Sequence, residues 1–288
     1  MPRVEVATPA MFDDIHPLLV QLDPARSKEE WRRLVLDSRW RTDQDGIGFV
    51  LVENQQIVGF LGTLFTRRVI GGREVRLCNQ HSWVVREEFR GHSLSLLMAV
   101  SRLGDCTMLN LTARRSVGAI YEKLGFKRLE RRVRLLFPVP GMPRLAANGG
   151  PVISTSPATL AETLDAADLK IFTDHSGCAC GHVVVRVPEG YCYLVFASRR
   201  HRKYGLEVPY SHVHYISNLD VFVRHLNRIK LYFLKTFGSW FLAVDERLLA
   251  NRAVGFSAAH RLTTPRYYRS KDLVPDQIDN LYTELVAW

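Results

Sequence analysis

The sequence predicts an α/β protein built from two α/β domains that are joined by a linker rich in proline and glycine. Its 288 residues exceed the usual size of one domain, so two domains are the expected number. Hydrophobic residues make up 47% of the chain and charged residues 24%, a composition typical of globular proteins. Segments with helical periodicity alternate with β-branched apolar runs, which indicates a mixed fold.

The first half opens with the pattern strand, helix, helix. Residues 4–6 alternate briefly, and apolar residues then recur at helical spacing over 11–22. Ser27 is followed three residues later by Glu30, a capping-box pattern that predicts the start of a second helix. Three β-branched runs follow at 49–53, 57–70 and 75–85, and the turn residues between them predict an antiparallel meander.

The rest of the first half alternates helix and strand. We predict a helix over 94–103, a strand over 107–113, a helix over 116–126 with Gly125 as its C-cap, and a strand over 127–137. The proline- and glycine-rich stretch that follows sets the predicted boundaries: a first domain at 1–138, a linker at 139–151 and a second domain at 152–288.

The second half repeats a similar order of elements. We predict a helix over 160–172, a hairpin from 182–187 and 191–197, a strand over 211–217, a helix over 220–237, a strand over 240–246 and a terminal helix over 275–285. The order suggests a degenerate tandem copy of the first half, although few residue identities repeat. The apolar helix over 220–237 is predicted to be core, with an acyl tunnel as the alternative.

The segment 84–98 carries the most informative pattern, a strand that enters a polar loop directly before a helix. The first amides of a helix lack partners within it, and its dipole presents a positive end to the loop. Arg90 adds a cation there, and Gly91 would let an anion approach the backbone. We therefore predict a pyrophosphate-binding turn.

Together with Tyr121 and the following Gly125–Phe126, this segment resembles the GNAT (GCN5-related N-acetyltransferase) family. The resemblance covers roughly the first 137 residues and implies a GNAT-like mixed sheet flanked by helices. It departs from the family pattern at Glu87 in place of proline and at Arg114 in place of a frequent asparagine. Two serines replace the later glycines of the family's turn. The residues matched to the coenzyme A site are Val84, Val85, Arg90, Gly91, His92, Ser93, Leu94 and Ser95.

The resemblance implies transfer of an acetyl or longer acyl group from acyl-coenzyme A, as co-substrate, to a small-molecule or peptide amine. It also implies that the backbone N–H near Val85 holds the acyl carbonyl and that Tyr121 protonates the departing thiolate. For the general base, strand alternation places His81 on the same face as Val85. Glu87, Glu88 or a relayed water are alternatives.

Two other functions stay open at this stage. A non-catalytic acyl-coenzyme A-binding or regulatory module would keep the turn but lack a base. A basic nucleic-acid-binding protein would explain the net charge of +10 and the basic run 198–203, yet no nucleic-acid motif accompanies that run.

Metal binding and membrane insertion are not expected. Residues 174–182 contain Asp174, His175, Cys178, Cys180 and His182, but Cys-x-Cys is tighter than the usual zinc spacing. His212 and His214 alternate on a strand, which is compatible with sheet packing or with a second binding cleft. Five cysteines, the acidic amino terminus and the lack of a long apolar run favour reduced thiols and a cytoplasmic location.

Overall fold

A computed structural model describes residues 1–37, 40, 46–138, 150–203 and 205–287. The chain divides into two compact units, which are described separately. Unit 1 comprises Met1–Leu129, Thr264–Gln277 and Tyr282–Ala287, and unit 2 comprises Glu130–Thr263 and Ile278–Leu281. This division differs from the predicted boundary at residue 138, because two C-terminal segments complete unit 1. The predicted linker, except for its last two residues, lies outside the described residues.

Unit 1 contributes six neighbouring strands to a mixed sheet. Five come from the first part of the chain: β1 (Arg3–Ala7), β2 (Gly48–Glu53), β3 (Gln56–Ile70), β4 (Arg73–Val85) and β5 (Thr107–Asn110). The sixth neighbour is the C-terminal part of β12 (Ser257–Arg269), so that the order is β1-β2-β3-β4-β5-β12. All neighbours are antiparallel except β4 and β5, which are parallel.

The first four helices of unit 1 follow the predicted order, whereas the fifth was predicted to belong to the second domain. They are α1 (Phe12–Leu22), α2 (Lys28–Leu36), α3 (Ser93–Ser101), α4 (Gly118–Lys123) and α9 (Glu284–Ala287). The predicted capping box is present, because the Ser27 hydroxyl accepts from the Glu30 N–H and the Glu30 carboxylate accepts from the Ser27 N–H. Helices α3 and α4 bury apolar side chains against the sheet, among them Leu96, Leu97 and Tyr121.

Unit 2 has a similar order of elements and contributes six neighbouring strands. Its strands are β6 (Lys127–Leu136), which begins in unit 1, β7 (Val152–Ser154), β8 (Gly181–Val187), β9 (Gly190–Lys203), β10 (Leu206–Ile216) and β11 (Leu242–Asp245). The order is β6-β11-β10-β9-β8-β7, with one parallel pair, β10 and β11. Its helices are α5 (Pro157–Thr163), α6 (Ala166–His175), α7 (Leu219–Arg224) and α8 (Leu226–Phe237).

The core of unit 2 is formed by β8, β9 and the helices α7 and α8. Phe196, Phe233 and Phe237 form a ring cluster with centroid separations of 4.7 to 5.1 Å, and Phe222 and Ile229 are fully buried. The predicted helix over 220–237 therefore packs as core.

Three predicted helices of the second half differ in the structure. The helix over 160–172 is divided because the Asp165 carboxylate accepts from the Asp168 N–H and starts α6 anew. The helix over 220–237 is divided at His225. The terminal helix over 275–285 is reduced to a 3-10 turn at Pro275–Gln277 and the short α9.

Candidate functional site

The candidate site of unit 1 lies where β4 and β5 stop pairing. Their parallel ladder ends at Asn79 and Leu109, while β4 continues to Val85. A bulge follows in β4, because Ser82 and Trp83 together lie opposite a single residue of β3, and Ser82 has φ 50°. Bulges bend a strand and increase its twist. We call the ends of β4 and β5 beyond Asn79 and Leu109 the fork.

Tyr121 places its hydroxyl inside the fork. The Tyr121 hydroxyl accepts from Asn110 Nδ2 at 2.6 Å and donates to Gln80 Oε1 at 2.9 Å, so it joins the two strands. Tyr121 is fully buried, and its ring stacks on Tyr267 with centroids 5.3 Å apart. Burial raises the pKa of the Tyr121 hydroxyl above its ordinary value, so the group keeps its proton at neutral pH.

Helix α4 can pack close to Tyr267, on which Tyr121 stacks, because the helix begins with a glycine. A Cβ at Gly118 would lie 2.5 Å from the Tyr267 hydroxyl oxygen, which is too close for any other residue without a shift of the ring. Helix α4 ends at Lys123 with Leu124 as its C-cap, and Gly125, the predicted cap residue, follows with φ 80°.

A buried carboxyl group, not singled out by the sequence, also reaches the fork. Glu284 in α9 is 5% exposed and accepts from Thr112 Oγ1 at 2.6 Å and from Asn79 Nδ2. Burial raises the pKa of the Glu284 carboxyl, although both hydrogen bonds oppose the shift. Glu284, Gln80 and Asn110 carry no sequence signal of their own, because only tertiary structure brings them to Tyr121 and its neighbours.

The predicted shared face of His81 and Val85 is wrong. His81 pairs with Gly62 and its ring occupies the space beside that glycine, whereas Val85 pairs with Gly59. Directly opposed residues of an antiparallel pair point to the same side, and Gly59 and Gly62 are three residues apart, so they face opposite sides. The β4 bulge lies between His81 and Val85 and reverses the alternation.

The predicted anion-binding turn follows β4, but it is more ordered than expected. Residues Glu87–His92 form a 3-10 turn that runs directly into α3. Within it the Phe89 N–H donates to the Arg86 carbonyl, and the Ser93 N–H donates to the Arg90 carbonyl. Among the residues matched to the coenzyme A site, Ser93 therefore already has its amide bonded within the turn. The residues Glu87 to Arg90 can form this 3-10 turn with ordinary helical φ values, so no glycine is required within it.

Other parts of the turn remain open to a ligand. A Cβ at Gly91 would meet nothing within 4 Å, and Arg90 is exposed with its guanidinium 3.2 Å from Glu87 Oε1. Ser95 donates its hydroxyl to the His92 carbonyl at 2.6 Å, which turns the side chain back onto the helix. His92 and Ser93 are half-buried, Leu94 is exposed, and Val84 is buried at the end of β4.

Unit 2 has no equivalent turn among its described residues. Ser217 and Asn218 alone connect β10 to α7, and the Asn218 side chain accepts from the Val221 N–H at 3.1 Å. A turn like Glu87–His92 of unit 1 is therefore absent from this connection.

Unit 2 contains the two polar clusters noted in the sequence, residues 174–182 and the pair His212 and His214. The first cluster includes Cys180 and His182. Burial raises the pKa of the Cys180 thiol to about 12 and lowers the pKa of His182 to about 4, so the cysteine stays an uncharged thiol. No three or more His, Cys, Asp or Glu side chains of the described chain are grouped to hold a metal ion.

His212 and His214 form the second cluster. Their rings stack 4.5 Å apart, and His212 Nε2 lies 3.1 Å from the buried Asp245 carboxylate. Asp245 also accepts from Arg247 at 2.5 Å and from Asn280 at 2.8 Å. The buried aspartate is therefore paired and hydrogen-bonded on both oxygens, as burial of a charge requires.

None of the helices in the described ranges is long and apolar enough to cross a membrane.

No family model and no curated protein matches the sequence. Solved structures nevertheless resemble the chain. A GCN5-related N-acetyltransferase from Kribbella flavida superposes with a TM-score of 0.59 at 16% identity, covering 93% of this chain and 71% of that one. A second GCN5-related N-acetyltransferase, from Anabaena variabilis, gives a TM-score of 0.56 at 12% identity and covers 93% and 72% of the two chains.

Proposed function

We propose that this chain, which has the fold of the GCN5-related N-acetyltransferases, transfers an acyl group from acyl-coenzyme A to an amine. The observation that carries the proposal is the fork of unit 1, which holds a tyrosine hydroxyl between two strands and continues into a turn at the start of α3. The acyl chain can be acetyl or longer, and the acceptor can be a small molecule or a peptide.

We place the coenzyme A diphosphate at the turn and the thioester in the fork. The open position at Gly91, the exposed Arg90 and the first turn of α3 suit an anion. Residues His92 to Ser95 would surround the diphosphate, and Val84 and Val85 would flank the thioester arm. Amides already bonded within the turn reduce the number of available donors, so we expect weaker binding than an open loop would give.

Amine acylation requires a neutral amine. A lysine-like amine with a pKa of about 10.4 is neutral only about once in 2,500 molecules at pH 7, a penalty of roughly 4.6 kcal/mol. We assign Tyr121 the role of hydrogen-bond donor to the departing sulfur, after its O–H turns away from Gln80. His81 is not assigned as the base, because its side chain lies on the other face of β4 from Val85.

Paired glycine substitutions test the coenzyme A site. Gly91→Glu places a carboxylate where the diphosphate is proposed to lie, and calorimetric titration should show at least a tenfold loss of affinity for coenzyme A and acyl-coenzyme A. Gly104→Glu is the control, because a Cβ there also meets nothing within 4 Å. Equal affinity in both variants would contradict the assigned site.

The same titrations separate the proposed activity from its alternatives. Binding of acetyl- or longer acyl-coenzyme A with turnover of an amine acceptor supports the enzyme. Binding without turnover of any amine would identify a non-catalytic acyl-coenzyme A module. Salt-dependent binding to nucleic acid without affinity for coenzyme A would instead favour a nucleic-acid-binding protein.

A further inference from the structure

Unit 2 exposes aromatic side chains at the end of its sheet where β10 and β11 begin. Tyr210 stacks on Phe241 with centroids 5.0 Å apart, and Phe137 lies 5.8 Å from Phe241. The backbone N–H of Trp240 donates to the Pro209 carbonyl, and the Trp240 residue is 60% exposed. The Phe137 N–H donates to the Phe256 carbonyl, and Phe256 is 66% exposed. Large apolar side chains exposed together commonly mark an interaction surface.

A basic hairpin extends from the same end of the sheet. Strands β9 and β10 pair outward from Arg199 and Tyr210 to Lys203 and Leu206. The sequence of this hairpin contains four Lys or Arg and a single acid, Glu207, which lies 3.0 Å from Arg200. Leu206, next to the turn, is 70% exposed. Cations and exposed apolar groups therefore share one end of unit 2.

We propose that this surface, the aromatic–basic end, docks on an anionic phospholipid membrane. It comprises residues of the hairpin, Arg199, Arg200, His201, Arg202 and Leu206, and the aromatic residues Phe137, Tyr210, Trp240, Phe241 and Phe256. Tryptophan and other aromatic rings favour the membrane–water interface, and basic residues are attracted to anionic headgroups. The inference does not depend on the proposed acyl transfer.

The chemistry of the surface favours a lipid over a nucleic acid. Bases bind proteins by stacking on open ring faces, but the Tyr210 and Phe241 rings stack on each other. The most exposed apolar side chain of this surface is Leu206, which is aliphatic and offers no ring on which a base could stack. An aliphatic tip beside cations instead suits shallow insertion between headgroups.

Vesicle sedimentation of the full chain tests the proposal. We expect binding to vesicles of phosphatidylcholine with phosphatidylserine, little binding to phosphatidylcholine alone, and release at high salt. The double variant Trp240→Ser with Phe256→Ser should lower the partition coefficient at least tenfold. Arg202→Glu should lower it by about fivefold or more, because each basic residue near the surface contributes about that factor.

Control variants come from exposed positions of unit 1. Val69→Ser changes a valine that is 73% exposed, and Arg33→Glu reverses a charge whose side chain is 67% exposed. Both should sediment with vesicles as the unmodified chain does. Equal binding to neutral and anionic vesicles, or an equal loss in the control variants, would overturn the proposal.

The Leu206→Ser variant distinguishes binding to a lipid surface from binding to a nucleic acid. On a membrane it should weaken vesicle binding several-fold, whereas binding to a single-stranded oligonucleotide should not depend on this aliphatic side chain. Oligonucleotide binding that requires Trp240, with no vesicle binding, would replace the lipid assignment by a nucleic-acid one.

Discussion

The hydroxyl groups of Tyr121 and Tyr267 provide a matched pair for separating ring packing from hydrogen bonding. Both rings are fully buried and stack on each other. The Tyr121 hydroxyl has two partners, whereas the Tyr267 hydroxyl has no hydrogen-bond partner in the described part of the chain. A buried polar group that loses its partner is costly, while removal of a group without a partner is not.

We therefore predict that Tyr121→Phe lowers the free energy of unfolding by about 1–3 kcal/mol and that Tyr267→Phe leaves it nearly unchanged. Urea denaturation measures both. If Tyr121 serves the proposed reaction, Tyr121→Phe should also reduce kcat while the affinity for coenzyme A is kept, and Tyr267→Phe should retain kcat. Equal turnover in the two variants would remove Tyr121 from the reaction.

The buried carboxyl of Glu284 predicts a pH dependence of stability. Its pKa is raised above 4.5, so the fold favours the protonated form, and the associated stability is present at low pH and is lost as pH rises. Glu284→Gln keeps the shape without the charge. Relative to the unmodified chain, the variant should gain stability as pH rises from about 4.5 toward neutrality, measured by denaturation at several pH values. A difference that does not change with pH would mean that Glu284 does not titrate in this range.

Local sequence patterns predicted the helices and strands of the first half well. The capping box of α2, the left-handed Gly125 that ends the α4 segment and the three-stranded meander depend on residues close in sequence, and all are present. The β4 bulge was not predicted, because it depends on how β4 pairs with β3. That bulge, which lies between His81 and Val85, is why the prediction for His81 failed.

The elements missed by sequence are those defined by distant partners. Strand β12 has mixed polarity and contains Pro265, so no alternating pattern identifies it. It is a strand because Tyr267 to Arg269 pair with Met108 to Asn110. Likewise, the short α9 is held by hydrogen bonds from Asn79 of β4 and from Thr112, which follows β5, to Glu284.

The two units share one order of elements. Each has the order strand, two helices, three antiparallel strands, helical segment and parallel strand, and in each the sixth strand comes from the other part of the chain. Strand β12 completes unit 1 beside β5, and β6 completes unit 2 beside β11. That unit 2 is a degenerate copy of unit 1 stays a prediction.

Because β12 completes unit 1, we predict that residues 1–138, the first domain expected from sequence, do not form a stable domain alone. That fragment lacks the strand that pairs with β5 and the Tyr267 ring that stacks on Tyr121, so it would expose both an open sheet edge and a core cavity. We expect it to aggregate or to lack a cooperative urea transition.

Residues 1–129 joined to 264–287 by a flexible glycine–serine linker should recover a cooperative transition, because this fragment contains all segments of unit 1. The matched control joins the same segments with Tyr267→Ala, which keeps the strand and removes the ring at a cost of about 3–5 kcal/mol. Cooperative unfolding of 1–138 alone, equal to that of the joined fragment, would mean that unit 1 does not need β12. The sequence-based boundary would then be the correct one, since a domain that folds alone must contain its complete core.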